Sequence, residues 1–217
     1  MRDKEKDAAQ MAVKRQAFLD AAFELFTEKG IEAVSLNSIA QKSGYGIATL
    51  YRHFSNKVSL VTELVAKKWA DYIRYYESMV TDKDLEKMTG AEYMKFYLDS
   101  YLVLFRNYKD ILRFNYDLNS FLRKEEHSSE HLEPYLRVVD RLGESFHEMY
   151  QRGLRDGTLN CEIPEKTMFS SSFHIMLAAV TRYAMGLVYI LEQGADPETE
   201  LLMLEKMLLK EYTKQPD

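Results

Sequence analysis

Three observations predict an all-α protein. Glycine and proline are scarce, nine and four in 217 residues, which leaves few of the turn signals that a set of short strands requires. No stretch alternates apolar and polar residues over the length of a strand. Apolar residues recur instead at helical spacing, in about nine segments. These fall into an N-terminal three-helix unit, residues 1–55, and a larger helical domain, residues 56–217.

Apolar residues make up 46% and charged residues 29%, a globular balance that excludes a disordered chain. The single Cys161 excludes an intramolecular disulfide and a cysteine-based zinc site, and suits a reducing compartment. The start, MRDKEKDAAQ, has no apolar h-region and does not read as a signal peptide, so a cytoplasmic protein is expected. The net charge is −5, but residues 1–60 carry nine basic against seven acidic residues, so the acidic excess lies in the rest. Between Lys29 and Lys57 only Glu32 is acidic, which leaves the cationic face that phosphate contact needs.

Residues 1–12 read as a solvated tail. A basic arm carrying Lys4, Lys6, Lys14 and Arg15 is a second reading, opposed by Asp3, Glu5 and Asp7. A helix is predicted from Val13 to Lys29, because Phe18, Ala21, Ala22, Leu25 and Phe26 form one apolar stripe. Gly30 ends it. Ser35 can cap a second helix with Leu36, Ile39 and Ala40 on its inner side, and Ser43-Gly44 stops it. A third helix, from about Gly46 to Phe54, turns Leu50 and Phe54 inward. Two short helices joined by a glycine-containing turn are a helix-turn-helix, whose second helix enters the DNA major groove.

The run RQAFLDAAFELFTEKGIEAVSLNSIAQKSGYGIATLYRHFSNKVSLVTEL resembles the DNA-binding domain of TetR/AcrR-family transcriptional regulators. The marks are Ala21-Ala22, Leu25-Phe26, Gly30, Ser35, Ile39-Ala40, Ser43-Gly44, the run Leu50 to Phe54, and Lys57 followed by Leu60. Two positions depart from the family pattern: Tyr45, where a small aliphatic is usual, and Gly46, where Ser or Thr often caps the recognition helix. Ile47, Ala48 and Thr49 can offer methyl groups to thymine, and Thr49 can also hydrogen-bond. The resemblance implies phosphate contacts for Tyr51 and His53. Lys57 adds its charge at the next helix start. Ser35, Asn37 and Gly46 complete the expected DNA-facing set. Few long polar side chains reach from this helix, so phosphates and DNA shape are expected to carry much of the recognition.

The fourth helix is predicted from Ser55, as N-cap, to about Val80. Residues 81–90 read as a loop. Two aromatic-rich helices follow, about Ala91 to Asn107 and Asp110 to Glu126, and soft Met88 and Met94 accompany them. Aromatic-rich concave sites suit drug-sized ligands. The candidate ligand residues are Tyr72, Tyr97, Tyr101, Phe105, Phe114, Phe121, Phe146 and Phe173, with Asp117 and Arg182 as charged partners. Plain core packing is the competing reading for each ring. His127 and His131 have metal-pair spacing, but KEEHSSEHLEP is so polar that it reads as a solvated loop and no metal is expected.

Helices from about Glu133 to Asp156, Pro164 to Gln193 and Pro197 to Tyr212 complete the chain. The second of these is apolar nearly all round, yet His174, Arg182 and three consecutive serines argue against a membrane span. Burial by the domain core on one side and by a second subunit on the other explains it better. The family resemblance also implies a four-helix dimer seam. Candidate seam residues are Tyr183, Gly186, Tyr189, Leu201, Leu204 and Leu208. No catalytic constellation and no cofactor motif is seen. The expectation is a ligand-released repressor, binding a palindromic double-stranded DNA operator as a homodimer. Its effector is expected to be small and hydrophobic or aromatic. The alternative is a helical small-molecule-binding protein without DNA binding that acts through protein partners, favoured by the scarcity of long side chains in residues 46–53.

Overall fold

In the computed structural model, residues 4–125, 129–186 and 196–214 are described. They form ten α-helices: α1 Lys4–Lys29, α2 Leu36–Ser43, α3 Ile47–His53, α4 Lys57–Glu77, α5 Asp82–Lys87, α6 Gly90–Asn107, α7 Lys109–Leu122, α8 Ser129–Asp156, α9 Glu165–Ala184 and α10 Pro197–Tyr212. Among the described residues no helix is long and apolar enough to cross a membrane.

Several predicted boundaries move. α1 begins at Lys4 rather than Val13, because the preceding residues are good helix formers with no breaker. α4 is capped by Asn56, not Ser55: the Asn56 side chain accepts the Ser59 N–H at 2.8 Å. The expected loop at 81–90 contains α5, started by the Thr81 hydroxyl. α8 takes in Ser129–Pro134, part of the stretch read as a loop, and Pro134 is tolerated inside it. His127 and Tyr189 lie outside the described residues.

The chain forms two compact units, and the division falls inside α4 rather than after residue 55. The first comprises the described residues of Met1–Lys68 and Arg113–Leu136, and the second those of Trp69–Leu112 and Arg137–Asp217.

In the first unit α1 packs on α2 and α3 around fully buried Phe18, Ala22, Ile39 and Leu50. Phe114 of α7 belongs to this core. Its ring stacks on Phe26 at 6.0 Å and meets Phe23 edge-on at 5.6 Å.

In the second unit α6 packs on α9 and α10. α9 buries Met168, Ser172, Met176, Val180 and Ala184, a strict every-fourth-residue stripe. α6 and α8 approach so closely that a Cβ on Gly90 would lie 2.1 Å from the Gly153 Cα. The start of α6 is fastened there: the Gly90 N–H donates to the Asp156 carboxylate at 2.7 Å and the Ala91 N–H to Thr158 Oγ1 at 2.9 Å.

Two expected seam residues prove to be core. Leu201 and Leu208 are buried inside their own subunit, and Leu204 is half-buried. The outward stripe of α10 carries Leu202, Met203 and Met207 instead. Gly186 is needed for a different reason from close backbone approach. It holds a left-handed φ of 73° just past α9, and its N–H closes the helix end on the Tyr183 carbonyl at 3.0 Å.

Candidate nucleic-acid interface and ligand cavity

The helix-turn-helix is built by local chemistry. The Ser35 hydroxyl accepts the Ser38 N–H at 3.1 Å, and Ser38 returns the bond to the Ser35 N–H, a capping box that starts α2. Gly44, at φ 77°, turns the chain toward α3. Gly46 occupies the N-cap of α3 without a side-chain bond. Leu50 and Phe54 anchor α3 inward, and the Phe54 ring meets Phe18 edge-on at 6.5 Å.

With that face buried, Gly46, Ala48 and Tyr51 are exposed, and Ile47, Thr49 and His53 are half-buried at the rim. Tyr51 is 55% exposed. Ser35 and Asn37 are exposed on α2. Each of these residues of α2 and α3 thus keeps some accessible surface. His53 stands beside Phe18 at 5.8 Å. Burial, then the neighbouring Arg15, Lys14 and Arg52 charges, hold its pKa below the ordinary histidine value.

Two basic residues read as DNA contacts have internal partners. Arg15 grips Glu63 through two nitrogens, one at 2.6 Å, and donates to the His53 carbonyl at 2.9 Å. Its guanidinium covers the Phe54 ring at 4.6 Å. Arg15 thus ties α1, α3 and α4 together, a role that spacing alone did not reveal. Lys57 reaches the Glu32 carbonyl at 3.3 Å and lies 5.3 Å from the Phe121 ring. Burial lowers its pKa, opposed by Glu125 and Glu32. Lys124 pairs with the Glu32 carboxylate at 2.6 Å.

The second unit holds a cavity of about 110 Å³. Its walls are Trp69, Tyr72, Ile73, Tyr76 and Glu77 of α4, Leu85 of α5, Tyr93, Phe96, Tyr97, Ser100, Tyr101 and Leu104 of α6, Arg141, Leu142 and Ser145 of α8, and Phe173 of α9. Of the expected ligand residues, Tyr72, Tyr97, Tyr101 and Phe173 line it.

The others do not. Phe146 forms a layer behind the wall, 5.3 Å from Tyr97 and 5.1 Å from Phe169. Phe105 packs beside Tyr183 at 6.4 Å. Arg182 is exposed on α9. Phe114, Asp117 and Phe121 belong to the first unit, where burial and then Glu32 raise the Asp117 pKa. Trp69, Tyr76, Tyr93 and Phe96 line the cavity beyond the expected set. Tyr72 and Tyr76, four apart on α4, were the available signal.

Four of the five phenol hydroxyls that line the cavity have hydrogen-bond partners. Tyr72 donates to the Ser100 carbonyl and Tyr76 to the Phe96 carbonyl. Tyr97 and Tyr101 share a hydrogen bond of 2.8 Å. Burial raises the pKa of all four, so they stay neutral. What remains for a guest is mostly ring surface, with one charged pair, Glu77–Arg141 at 2.7 Å, among the lining residues. Such a site takes up apolar or aromatic matter.

Residues 18–64 match the model for "bacterial regulatory proteins, tetR family". An HTH-type transcriptional regulator of Staphylococcus aureus (strain bovine RF122 / ET3-1) is 35% identical over 101 residues, 46% of this chain and 50% of that protein. The chain thus spans about half the length of the curated relatives it matches. Among solved structures, FadR of Bacillus subtilis in complex with stearoyl-CoA superposes with a TM-score of 0.67 at 17% identity, over 90% of this chain and 97% of that one. The ketosteroid transcriptional regulator of Mycobacterium tuberculosis gives 0.62 at 15% identity, over 93% and 95%.

Proposed function

We propose that the chain, whose residues 18–64 match the model for bacterial regulatory proteins of the tetR family, is a cytoplasmic, ligand-released transcriptional repressor of that family rather than an enzyme. The observation that carries this reading is the accessible surface of α2 and α3 within the family-matched stretch, held from behind by Leu50 and Phe54. As a homodimer the protein sets two copies of α3 into successive major grooves of a palindromic operator, about 34–36 Å apart. The exposed Ile175 of α9 and Leu202, Met203 and Met207 of α10 are the apolar surface such a dimer covers.

The effector occupies the cavity of the second unit. That space, about 110 Å³, is somewhat smaller than the ~150 Å³ engineered cavity that accepts benzene, so a small hydrophobic or aromatic compound fits with little rearrangement. α4 contributes residues to both units, and a shift of α4 on effector binding changes the spacing of the two α3 helices. A coupling of only ~1–3 kcal/mol is required.

Trp69 is the only tryptophan of the chain and forms part of the cavity wall. Its fluorescence therefore reports cavity occupancy directly. The protein is incubated with a random-sequence duplex library, enriched duplexes are titrated by anisotropy, and a panel of hydrophobic and aromatic compounds is screened by Trp69 quenching. Compounds that quench Trp69 should also release the enriched duplex. If no duplex is enriched over random DNA, the helical binding protein without DNA function is the better reading. If quenching compounds leave the duplex bound, the cavity is not the regulatory site.

A further inference from the structure

Five tyrosines line the cavity of the second unit, and the Tyr93 hydroxyl is the one that hydrogen-bonds to nothing among the described residues. Its ring meets Phe96 at 6.4 Å and the Arg152 guanidinium at 5.3 Å. Tyr93 is half-buried. Burial and then Glu148 raise its pKa, opposed by Arg152, so the phenol keeps its proton. Ser145 of α8 also lines the cavity, half-buried, and its hydroxyl has no hydrogen-bond partner among the described residues either.

These two hydroxyls belong to one end of the cavity. α4 and α6 run antiparallel along the wall: Tyr72 donates to the Ser100 carbonyl, and Tyr76, one turn on, to the Phe96 carbonyl. By that register Glu77 lies toward the Tyr93 end of α6 and Trp69 toward the Leu104 end. The Glu77 charge is among those that act on the Tyr93 phenol. Glu77 pairs with Arg141 at 2.7 Å, both side chains about half exposed, and Ser145 stands one turn after Arg141 on the same face of α8. Trp69 to Glu77 spans ~12 Å of α4. The cavity is therefore polarised, with ring surface at the Trp69 end and hydroxyls beside an ion pair at the Glu77 end.

The charges at the polar end cancel. Glu77 faces Arg141, and Glu148 faces Arg152 at 3.4 Å. An anion brought to Arg141 meets Glu77, and a cation brought to Glu77 meets Arg141. Either ion must shed its own water with no net field to compensate. An uncharged group that donates and accepts leaves the pair intact and satisfies two idle hydroxyls.

We propose that the Tyr93 and Ser145 hydroxyls are the polar anchor of the effector, and that the effector is an uncharged single-ring aromatic compound carrying a hydroxyl or carbonyl group. Its ring lies toward Trp69 and its oxygen between Tyr93 and Ser145. This deepens the reading of the cavity as the effector site and rests on it.

Four probes of similar size differ in the head group: toluene, benzyl alcohol, benzoate and benzylammonium. Each is titrated into the full-length protein by calorimetry at neutral pH. Benzyl alcohol should bind ~10-fold tighter than toluene, the equivalent of one to two hydrogen bonds, and tighter than either ion. The Tyr93→Phe/Ser145→Ala variant keeps the ring and a helix-favouring side chain, and in it benzyl alcohol and toluene should bind within about twofold of each other. Tighter binding of benzoate or benzylammonium, or a preference for benzyl alcohol that survives in the double variant, overturns the proposal. Toluene binding with no gain for benzyl alcohol removes the polar anchor alone. If none of the four binds, toluene included, the cavity is not an effector site, and that reading fails together with this one.

Discussion

Replacing Arg15 by alanine should loosen the recognition helix from the rest of its unit. The guanidinium makes two bonds to Glu63, one to the His53 carbonyl, and a face contact with Phe54. The two charged side chains are 39% and 27% exposed, so solvent screens the pair in part. Fully exposed pairs contribute at most ~1 kcal/mol, and breaking a buried one costs ~3–5 kcal/mol. A partly covered, forked pair falls between, at ~1–2 kcal/mol, and the carbonyl bond adds ~1 kcal/mol. The expected loss is ~2–3 kcal/mol, which lowers Tm by about 5–10 °C for a chain of this size. Urea denaturation at fixed protein concentration measures it. Arg15→Lys should recover only part of the loss, because an ammonium cannot form the fork. In a double-mutant cycle with Glu63→Ala, a coupling of ~1 kcal/mol or more is expected. A stability change for Arg15→Ala under ~0.5 kcal/mol, or additivity with Glu63→Ala, would refute the assignment of Arg15 as the tie between α1, α3 and α4.

Four further outcomes are expected. Gly90→Ala places a Cβ against the Gly153 backbone, which no rotamer change can relieve, and should cost about 3 kcal/mol or more. Gly143→Ala has no atom within 4 Å of the new Cβ and should instead stabilise α8 by ~0.5–1 kcal/mol, so urea midpoints moving in the same direction would contradict the α6–α8 crossing. Tyr51→Ala should weaken DNA binding about tenfold, the loss of one hydrogen bond to a charged group, while elution on size exclusion and Tm stay as they were; unchanged anisotropy titrations would remove Tyr51 from the interface. Finally, the folded His53 has a pKa below that of the unfolded chain, so the unfolded state takes up the proton first. The stability tied to its neutral form is present above the unfolded value of ~6.5 and is lost as pH falls below it. His53→Gln should flatten that decline between pH 7.5 and 5.5, and parallel curves for the two proteins would show that another group causes it.

Local chemistry was legible along the chain. The stripe from Phe18 to Phe26, the Ser35 cap, the Gly44 stop and the inward pair Leu50 and Phe54 are each set by neighbours within a turn or two, so a linear reading captures them. The outward surface of α3 follows at once, since a short helix with one buried face has only the other to offer. The aromatic wealth of the second unit and an outward apolar stripe on α10 were foreseeable in kind.

Which residues take which role was decided by tertiary packing. Phe114 and Phe121, seven apart, and Tyr97 and Tyr101, four apart, are both ring pairs at helical spacing, yet the first pair belongs with α1 and Lys57 and the second lines a cavity. Periodicity identifies a face but not the neighbour it meets, and that neighbour comes from residues far away in the chain. The same holds on α10, where both stripes are apolar: Leu201 and Leu208 face their own core, and Met203 and Met207 face out. Arg15 looked like a free cation because its partner, Glu63, stands 48 residues on. A sequence by itself determines helices, caps and amphipathic faces, because these depend on interactions within a few residues. Only the folded chain determines which of two equivalent faces is buried, because that choice minimises exposed apolar area over the whole molecule at once.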